Sequence, residues 1–575
     1  MSRTFDAFVP GLLGTRKSCF LKLDLMFLTV LSKKNENENQ IGLSDIDRVE
    51  CVSDSITITT AKLPHSNKEA PSFTFYFKSP LERQVFQNAL HAFRNGKPIE
   101  SADEKWDIEP IKVFTGTWNL GNAAPPPRLE SWLPRSGYHV YAVGVQECGY
   151  SPREPYGNCE EDWFGILGAY LGDKYQLIAS KSLLEIRLAV FIHKQYFVKV
   201  SNIEIGTEAT GIARVIGNKG AVAIKFDISS TSFCFVNCHL AAHQERADNR
   251  NTDFKEIVDQ LKIGNRNLDL LSQFHYVFWM GDLNYRINLE RSEVVELAAK
   301  AEKGDLNAIR TLLANDQFLD QREQLNSFVG FNEAQITFPP TYRMNRGQPG
   351  YSVEKNRIPS YTDRILWKAL PGLKVIPTSY TNCPSITTSD HRPVSATFVV
   401  ATHVPMGTLT TPLPCFIKFS DLRASDLPVM DLNGLADPFI VFSSPAIDDS
   451  LANRTAVVTK TRNPTWPDEH APILVPLITT PSGLSKQFVT ASFYDWDSFS
   501  ANDFIGHCVI PLADAVGLGL PHQFHCTILG QGVPVGTFMG TLQVVYPMEG
   551  ADLPDFVKMV EKERKKKGKR LTVLK

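Results

Sequence analysis

The 575-residue sequence lacks several features that would assign it to a particular class of protein. Its ten cysteines form no CxxC pair and show no regular spacing, which argues against a zinc site or a disulfide framework. Sixty basic and 62 acidic residues leave a formal net charge of -2, so no global field favours nucleic acid or an anionic membrane. The sequence therefore predicts reduced cysteines and only local electrostatic attraction.

Long apolar runs are also lacking. The most apolar stretch near the N-terminus, CFLKLDLMFLTVL, is interrupted by Lys22 and Asp24, so neither a signal peptide nor a membrane span is expected. The chain has 43% hydrophobic and 21% charged residues, which predicts packed cores and three or four domains. These features indicate a soluble, cytoplasmic protein.

Residues 1–98 read as short strands followed by one helix. The strand-like segments SCFLKLDLMFLTVL, SITITTA and SFTFYFK precede SPLERQVFQNALHAFRNG. Apolar residues recur there at helical spacing: Leu81, Val85, Phe86, Leu90 and Phe93. This order resembles a pleckstrin homology domain, a β-barrel closed by a C-terminal helix. Arg16, Lys17 and Lys22 form a candidate phosphoinositide site, although a solvated strand edge would explain them equally well.

Polar residues repeatedly follow apolar, strand-like segments between residues 108 and 402. The segments are IKVFTGTWNLGN, HVYAVGVQE, SFCFVNCHLAAH, YVFWMGDLNYR, SYTDRILWK and SDHRPVSATFVV, with helical patterns between some of them. This mixture predicts a layered α/β or α+β domain whose site lies at the strand ends. The polar residues that would meet there are Asn119, Glu147, His239, Asp282, Asn284, Asp363, Asp390 and His391.

This set of side chains suits metal-assisted attack of water on a phosphate ester. Magnesium prefers hard oxygen ligands, a carboxylate can take the proton of the water, and histidine can stabilise charge on phosphoryl oxygens. Taken singly, such residues have structural explanations. We expect His243 to support the site from behind its ligands or to begin a helix, rather than to bind a metal. Cys148 and Cys238 should fill buried space, and Tyr285 and Arg286 should pack around the site.

Eight motifs carry a resemblance to a known family. GTWNLGN, VQE, GNKGAV, NCHLAAHQERADNRNTDF, GDLNYRI, PPTYR, KNRIPSYTDRILW and SDHRPV occur in the order seen in the inositol polyphosphate 5-phosphatases. That family belongs to the magnesium-dependent endonuclease, exonuclease and phosphatase superfamily. The resemblance implies that residues 108–402 form a four-layer α/β-sandwich within a chain of the α+β class, and that Mg²⁺ is the catalytic cofactor.

The resemblance also implies roles for individual residues. Asn119 and Glu147 would hold the magnesium ion. Asp282 would act as the general base, and Asn284 would help to place the water and the phosphate. His239 would contact the phosphate that is cleaved.

Further roles follow from the same motifs. His391 would stabilise the transition state, oriented by Asp363, while Asp390 would support the metal and phosphate side. Thr362 stands where the family usually has cysteine. The substrate-binding residues would be Asn218 and Lys219 in the GNKG loop, which reaches a phosphate other than the one cleaved, and Tyr342, Arg343, Lys355 and Arg357 at the 4-phosphate.

Residues 411–547 alternate as a β-sandwich would, after a predicted linker, ATHVPMGTLTTPLP. The segments LPVMDLNGLADPFIVF and FYDWDSFSANDFIGHCVIPL resemble a C2 domain, the lipid-binding β-sandwich. Two loops carry five carboxylates: Asp431, Asp437, Asp495, Asp497 and Asp503. Carboxylates this close repel one another unless cations lie between them, and Ca²⁺ suits such oxygen ligands. Acidic, solvated turns are the alternative.

A basic tail at residues 551–575 contains EKERKKKGKR, which could bind anionic lipid, act as a nuclear address or remain solvated. The domain order resembles that of the SH2-containing inositol phosphatases without their SH2 module. We therefore expect a phosphatase that acts on the 5-phosphate of phosphatidylinositol 3,4,5-trisphosphate or 4,5-bisphosphate and is recruited peripherally to anionic membranes. The alternatives are a 5-phosphatase of soluble inositol polyphosphates, a nuclease or sphingomyelinase of the same superfamily, and a catalytically silent lipid-binding scaffold. Nucleic acid is not an expected partner.

Overall fold

The structure is a computed structural model of the 575-residue chain. It describes residues 2–11, 15–24, 26–32, 37–52, 54–61, 70–78, 80–94, 105–211, 219–406, 415–431, 434–447, 453–478, 480–497, 502–516, 520–547, 555, 558–563 and 573–574. None of the helices in these ranges is long and apolar enough to span a bilayer.

The N-terminal unit is an antiparallel sheet of seven strands followed by one helix. Its elements are β1 (Ser2–Pro10), β2 (Arg16–Asp24), β3 (Phe27–Leu31), β4 (Asn37–Gly42), β5 (Ile46–Val52), β6 (Ser55–Thr60), β7 (Ser72–Tyr76) and α1 (Pro80–Arg94). The strand order is β4-β3-β2-β1-β7-β6-β5. Phe86, Leu90 and Phe93 of α1 are buried in one core with Leu21 and Ile56 of the sheet, as the helical spacing predicts.

The central unit contains two six-stranded sheets and six helices. Its elements are β8 (Lys105–Asn119), β9 (Val140–Gln146), α2 (Cys159–Leu171), β10 (Tyr175–Leu183), β11 (Ile186–His193), α3 (Lys194–Phe197), β12 (Val200–Ala209), β13 (Gly220–Ile228), β14 (Thr231–His239), α4 (Ala247–Gln260), β15 (Tyr276–Asp282), α5 (Arg291–Glu302), α6 (Leu306–Ala314), α7 (Gln317–Glu323), β16 (Asn332–Glu333), β17 (Asp363–Ala369), β18 (Val375–Asn382) and β19 (Val394–Met406). The sheets have the orders β10-β11-β9-β8-β19-β18 and β12-β13-β14-β15-β17-β16.

Three apolar cores arrange this unit in layers. The first core joins the two sheets face to face, for example through Val113 and Phe278. A second core packs α4 on the sheet of β14 through Phe254, and a third packs α2 on the sheet of β9 through Trp163. Since both faces of each sheet are covered, the strands are apolar on both sides, which explains near-continuous runs such as YVFWM.

The predicted linker is wrong in its first part. Strand β19 continues to Met406 and pairs with β8 along its whole length, from Val394 opposite Thr117 to Met406 opposite Lys105. The Thr402 hydroxyl also donates a hydrogen bond of 3.0 Å to the Glu109 carbonyl. Residues 401–406 therefore extend the sheet, because β8 begins early enough to pair with them. Residues 407–414 lie outside the described part of the chain.

The C-terminal unit is rich in strands. Its elements are β20 (Phe416–Ser425), β21 (Pro438–Ser443), β22 (Val457–Val458), β23 (Thr465–Trp466), β24 (Ile473–Leu474), α8 (Pro481–Leu484), β25 (Phe488–Asp495), β26 (Asp503–Pro511), α9 (Ala513–Val516), β27 (His522–Gly530), β28 (Val533–Val545) and β29 (Val573–Leu574). A core of aromatic and aliphatic residues includes Phe419, Phe442, Phe493 and Phe538. β29 pairs with β22, while the basic run at 564–570 lies outside the described residues.

Polar contacts join both outer units to the central one. Gln87 of α1 donates a hydrogen bond of 2.8 Å to the Val198 carbonyl. On the other side, the Tyr494 hydroxyl donates to the Asn267 carbonyl at 3.1 Å, and His507 lies 3.3 Å from Asp269. The outer units thus pack on the central unit through contacts that range from buried to exposed.

Candidate active site

Strand register brings the predicted catalytic residues together. In the sheet that contains β14, β15 and β17, His239 lies opposite Asp282, and Asp282 lies opposite Asp363. In the facing sheet, β8 ends at Asn119 beside the end of β9, and Glu147 follows β9 directly. Because the two sheets pack face to face, these strand ends meet at one edge of the sandwich.

A glycine permits the close approach of two strands at this edge. Gly281 has φ 145°, and a Cβ atom there would lie 2.1 Å from the Cys238 carbonyl oxygen. Any other residue would push β15 away from β14, since this conformation and this contact both exclude a side chain. The glycine in FWMGDLNYR therefore helps to place Asp282 next to His239.

Asn119 links the two sheets at the site. Its side-chain amide donates to Asp282 Oδ2 at 2.9 Å and lies 3.3 Å from Glu147 Oε1. Its Oδ1 accepts a hydrogen bond of 2.9 Å from the Gly121 N–H. Asn119 and Asp282 are buried, whereas 34% of the Glu147 side chain is exposed. Glu147 is therefore the part of this group that faces the outside.

His391 is held against two carboxylates. Its Nδ1 lies 2.9 Å from Asp363 Oδ2, and its Nε2 lies 3.9 Å from Asp282 Oδ2. Asp363 is itself fixed by the hydroxyls of Thr341 and Thr362, which donate to Oδ2 at 2.6 and 2.9 Å. The imidazole is therefore oriented with Nδ1 toward Asp363 and Nε2 toward the centre of the site.

The charges of the site balance one another. Burial alone disfavours an ionised Asp282, but His239, His391 and Lys219 together hold the pKa of its carboxyl well below the usual range. Burial likewise opposes a charged His391, yet Asp363, Asp282 and Asp390 raise the pKa of the ring to about 10. Near neutral pH, Asp282 is therefore an anion and His391 a cation.

His239 and Lys219 are adjacent. The Lys219 Nζ lies 2.5 Å from His239 Nε2, and that nitrogen lies 3.3 Å from Asp282 Oδ2. Burial and the Lys219 ammonium lower the pKa of His239, so its ring is neutral at neutral pH. Burial also lowers the pKa of Lys219, against the pull of Asp282 and Glu147. Lys219 thus lies beside the residue predicted to contact the cleaved phosphate.

Asn284 uses its polar atoms locally. Its Nδ2 donates to the Leu240 carbonyl at 3.0 Å, and its Oδ1 accepts from the Arg286 guanidinium. Arg286 also lies 4.6 Å from the centre of the Tyr342 ring, which in turn lies 4.5 Å from the ring of His391. Arg286, expected to pack near the site, supports both Asn284 and Tyr342.

Arg343 is surrounded by acidic groups. It donates to Asp390 Oδ2 at 3.1 Å and lies 2.6 Å from Glu354 Oε2. Arg346, which the motifs do not single out, pairs with the other oxygen of Asp390 at 2.8 Å. Since 67% of the Glu354 side chain is exposed, a phosphate could displace it from Arg343 more readily than it could displace Asp390.

The remaining predicted substrate residues differ in exposure. Lys355 is exposed and has φ 58°, and Arg357 is half-buried. Arg357 also lies near enough to His243 to lower the pKa of that ring, together with burial. Asn218 lies outside the described residues. Sequence reasoning did not find Thr341, whose only signal is its place directly before Tyr342 in PPTYR.

The cysteines near the site are buried, as predicted. Burial raises the pKa of Cys148 and of Cys238 above the usual range, so neither is a ready nucleophile. Trp279 donates a hydrogen bond of 3.1 Å to the Cys238 sulfur. Cys148 has a different neighbour, since its Sγ lies 3.6 Å from the Sγ of Cys159.

The carboxylates of the C-terminal unit also gather. Asp495 accepts a hydrogen bond from the Asp437 N–H, and Asp437 accepts one from the Lys460 N–H. Burial, together with Asp431, Asp497 and Asp437, raises the pKa of Asp495 to about 6. Asp503 lies opposite Asp495 in the pairing of β25 with β26.

One group of described residues brings potential metal-ligand atoms within 4.8 Å of one another, and it consists of Asp282, Asp363 and His391. Because His391 is protonated at neutral pH and bonded to Asp363, its ring is a poor ligand. The oxygen atoms of Glu147, Asn119 and Asp282 offer the better donor set for a hard cation.

Comparison with known proteins places these units in families. Residues 116–397 match the model of the endonuclease/exonuclease/phosphatase family 2, and residues 417–526 match the C2 domain model. The chain is 30% identical over 515 residues to phosphatidylinositol 3,4,5-trisphosphate 5-phosphatase 2 of Mus musculus, which covers 83% of this chain and 39% of the mouse protein. It is 33% identical over 352 residues to phosphatidylinositol 3,4,5-trisphosphate 5-phosphatase 1 of Rattus norvegicus, which covers 56% of this chain and 28% of the rat protein.

Among solved structures, one similar chain is the inositol polyphosphate 5-phosphatase domain of SpSynaptojanin, in complex with inositol (1,4)-bisphosphate and a calcium ion. It is 31% identical, covers 56% of this chain and 91% of its own, and has a TM-score of 0.47. The present chain spans about two fifths of the length of the mouse relative, at 39%. Residues 116–397 therefore form a domain of the endonuclease/exonuclease/phosphatase family 2, and residues 417–526 form a C2 domain.

Proposed function

We propose that this chain is a magnesium-dependent phosphatase that removes the 5-phosphate from phosphatidylinositol 3,4,5-trisphosphate or phosphatidylinositol 4,5-bisphosphate. The observation that carries the proposal is the convergence of Asn119, His239 and His391 on one oxygen of Asp282, at 2.9, 3.3 and 3.9 Å. This convergence occurs in a chain whose relatives are named as phosphatidylinositol 3,4,5-trisphosphate 5-phosphatases.

Asp282 acts as the general base in this proposal. It is ionised at neutral pH and can accept the proton of a water molecule that attacks the phosphorus atom. His391 carries a proton on Nε2 at the same pH and can donate a hydrogen bond to a phosphoryl oxygen. Neutral His239 contacts the same phosphate, cationic Lys219 lies 2.5 Å from His239 Nε2, and Asp363 keeps the imidazolium oriented.

The oxygen donors of the site fit a magnesium ion. Glu147 is partly exposed, and its Oε1 lies 3.3 Å from the side-chain amide of Asn119. A half-turn of that amide would direct its oxygen toward the same place and would break its present hydrogen bonds to Gly121 and Asp282. Asn119 and Glu147 would hold the ion, which would neutralise charge on the phosphoryl oxygens. Asp390 would support this side of the site through Arg343 and Arg346.

The substrate residues give the proposal its specificity. Arg343, Lys355 and Arg357 would bind the 4-phosphate, together with Tyr342, while Asn218 and Lys219 belong to the GNKG loop. The planar guanidinium of Arg343 can bind phosphate through two N–H donors once the phosphate has displaced Glu354. The polar atoms of Asn284 are engaged with Leu240 and Arg286. Asn284 would therefore act by positioning Arg286, which lies against the ring of Tyr342.

We also infer a division of labour among the units. Residues 1–98 would form a pleckstrin-homology-like domain, which the seven antiparallel strands and the helix α1 support. Residues 108–402, extended at both ends by paired strand, would form the catalytic domain, and residues 411–547 the C2 domain. Asp431, Asp437, Asp495, Asp497 and Asp503 would bind Ca²⁺, which would draw the chain to anionic membranes from the cytoplasm. In the N-terminal unit Arg16 is bound to Asp54, so a lipid would have to compete for it.

A substrate panel tests this function against its alternatives. The full chain would be incubated with inositol lipids, their soluble head groups, sphingomyelin and single-stranded DNA, in magnesium and in chelator. We expect magnesium-dependent phosphate release from inositol lipids that carry a 5-phosphate. Release from soluble head groups alone would favour the second candidate substrate class. Cleavage of sphingomyelin or DNA, or no release at all, would contradict the proposal.

A further inference from the structure

Two cysteines meet directly behind the predicted metal ligand Glu147. Cys148 follows Glu147 in the chain and is fully buried, while Cys159 is the first residue of α2 and is half-buried. Their sulfur atoms lie 3.6 Å apart, and the Cys159 thiol also contacts the Cys148 carbonyl at 3.2 Å. We propose that Cys148 and Cys159 are a modification site, at which a peroxide forms a reversible disulfide bond that displaces Glu147 and lowers activity.

The geometry favours a reaction between these two thiols. Cys148 lies two residues after the end of β9 and Cys159 begins α2, so ten residues, 149–158, separate the two cysteines in the chain. A disulfide bond is about 2 Å long, so the sulfurs need to move closer by only about 1.5 Å. The hydrogen bond from Cys148 and the nearby Arg187 guanidinium lower the pKa of Cys159, which favours its reaction as the more accessible thiolate.

The reaction balances with hydrogen peroxide as the oxidant. The Cys159 thiolate attacks one peroxide oxygen, the O–O bond breaks, and a sulfenic acid and one water molecule result once a proton is taken up. The Cys148 sulfur, held 3.6 Å away, then attacks the Cys159 sulfur as the S–O bond breaks, and its thiol proton passes to the departing hydroxide, which leaves as a second water molecule. Proximity therefore offsets the raised pKa of Cys148. Two thiols lose two electrons in total, and peroxide gains them. A thiol reductant reverses the modification by exchange.

The backbone around Cys148 would transmit the change to Glu147. The Cys148 carbonyl accepts a hydrogen bond of 2.7 Å from Arg187, and its N–H donates to the Glu185 carbonyl at 3.1 Å. Glu147 itself has φ 47°, a conformation that few side chains adopt without support. Drawing Cys148 toward α2 would strain these contacts and rotate the carboxylate. This consequence rests on the proposed function, because it assigns Glu147 to the magnesium ion.

The test uses the full chain after reduction and removal of the reductant. Activity of the reduced protein is measured first, so a failure of the proposed function is seen separately. The protein is then treated with hydrogen peroxide, digested without reduction and analysed by mass spectrometry for a peptide pair linked through Cys148 and Cys159. In parallel, phosphate release is measured across a magnesium titration, before and after addition of a thiol reductant.

We expect the disulfide-linked peptides to appear together with a rise of about tenfold in the apparent dissociation constant for magnesium. That factor is the lower end of the range found when residues that support metal ligands are disturbed. Reductant should reverse both changes. Cys159→Ser should keep the basal activity and lose the response, whereas Cys526→Ser in the C2 domain should retain it. Absence of the linked peptides would overturn the proposal, as would a linked protein whose magnesium response is unchanged.

Discussion

The catalytic edge and the acidic loops of the C2 domain both gather aspartates, yet they treat them in opposite ways. At the catalytic edge, Asp282 is buried beside His239, His391 and Lys219, and its pKa is held well below the usual range. In the C2 loops, Asp495 is buried beside other aspartates, and its pKa is raised to about 6. The ionised form of aspartate is thus stabilised at the first site and destabilised at the second.

This difference indicates which site depends on a ligand for its charge balance. Lys219 and the protonated His391 lie beside Asp282, so this carboxylate, the proposed base, is ionised before any substrate arrives. Asp495 and Asp437 each accept a hydrogen bond from a backbone N–H, and the neighbouring side chains that shift the pKa of Asp495 are acidic. Such loops gain from a bound cation, whereas Asp282 already has cationic side chains of the chain beside it.

The largest expected effect is the loss of the base. Asp282→Asn keeps the size of the side chain but cannot accept the proton of the attacking water, so we expect kcat to fall by at least ~100-fold. Phosphate release from an inositol lipid measures this, and circular dichroism checks the fold. Asp173→Asn, at an exposed position, is the control and should be fully active. Retention of more than about a tenth of the wild-type kcat would break the assignment.

A smaller loss is expected when His391 loses its carboxylate. Asp363→Asn weakens a charged hydrogen bond worth about 1.5 to 3 kcal/mol, or roughly 10- to 100-fold in rate. The pKa of His391 lies above its ordinary value of 6.5, so the charged pair is intact below pH 6.5 and is lost as pH rises through about 10. The variant should therefore lose activity at a lower pH than the wild type. A pH profile with an unchanged alkaline limb would show that Asp363 does not tune His391.

The calcium response should disappear when the C2 loops lose their charge. Replacing Asp495 and Asp497 together by Asn removes two anions from the loops and lowers their attraction for a cation. We expect liposome sedimentation with phosphatidylserine to become independent of calcium, while hydrolysis of a soluble head group stays unchanged. Equal binding of the wild type in calcium and in chelator would instead indicate that the C2 domain holds the units of the chain together.

The smallest effect is a dependence of calcium affinity on pH. Because the pKa of Asp495 is raised from 3.8 to about 6, its contribution to stability is present below pH 3.8 and is lost as pH rises through about 6. Bound calcium would offset that loss above about pH 6, whereas below about pH 6 calcium must compete with a proton for the Asp495 carboxylate. Calorimetric titration should therefore give affinity about tenfold weaker at about pH 5 than at about pH 7.5. Equal affinities would mean that Asp495 is not a ligand.

The sequence predicted the strand ends of the catalytic site because apolar runs and motifs mark where each strand stops. Strand register then brings His239, Asp282 and Asp363 into one row. Contacts between distant loops were less accessible to sequence reasoning. The pairing of Arg343 with Glu354 depends on how the chain folds back between them, and Lys219 lies 2.5 Å from His239, nearer the proposed base than its loop suggested.

The linker shows a second limit of sequence reasoning. Proline and threonine in ATHVPMGTLTTPLP are typical of a linker, but pairing with the early part of β8 outweighs that composition as far as Met406. Cys148 and Cys159 were similarly out of reach, since nothing in their spacing says that β9 and α2 bring the two sulfurs together. The replacement of the usual cysteine by Thr362 does have a physical explanation in the structure. The Thr362 hydroxyl donates a hydrogen bond to Asp363.

The central claim is that this chain hydrolyses the 5-phosphate of a phosphoinositide with magnesium. Its most direct test is chromatographic identification of the lipid formed from phosphatidylinositol 3,4,5-trisphosphate by the reduced full chain. We expect phosphatidylinositol 3,4-bisphosphate and free phosphate, in magnesium and not in chelator, from the wild type and not from Asp282→Asn. Formation of a different bisphosphate, or equal product from wild type and variant, would contradict it.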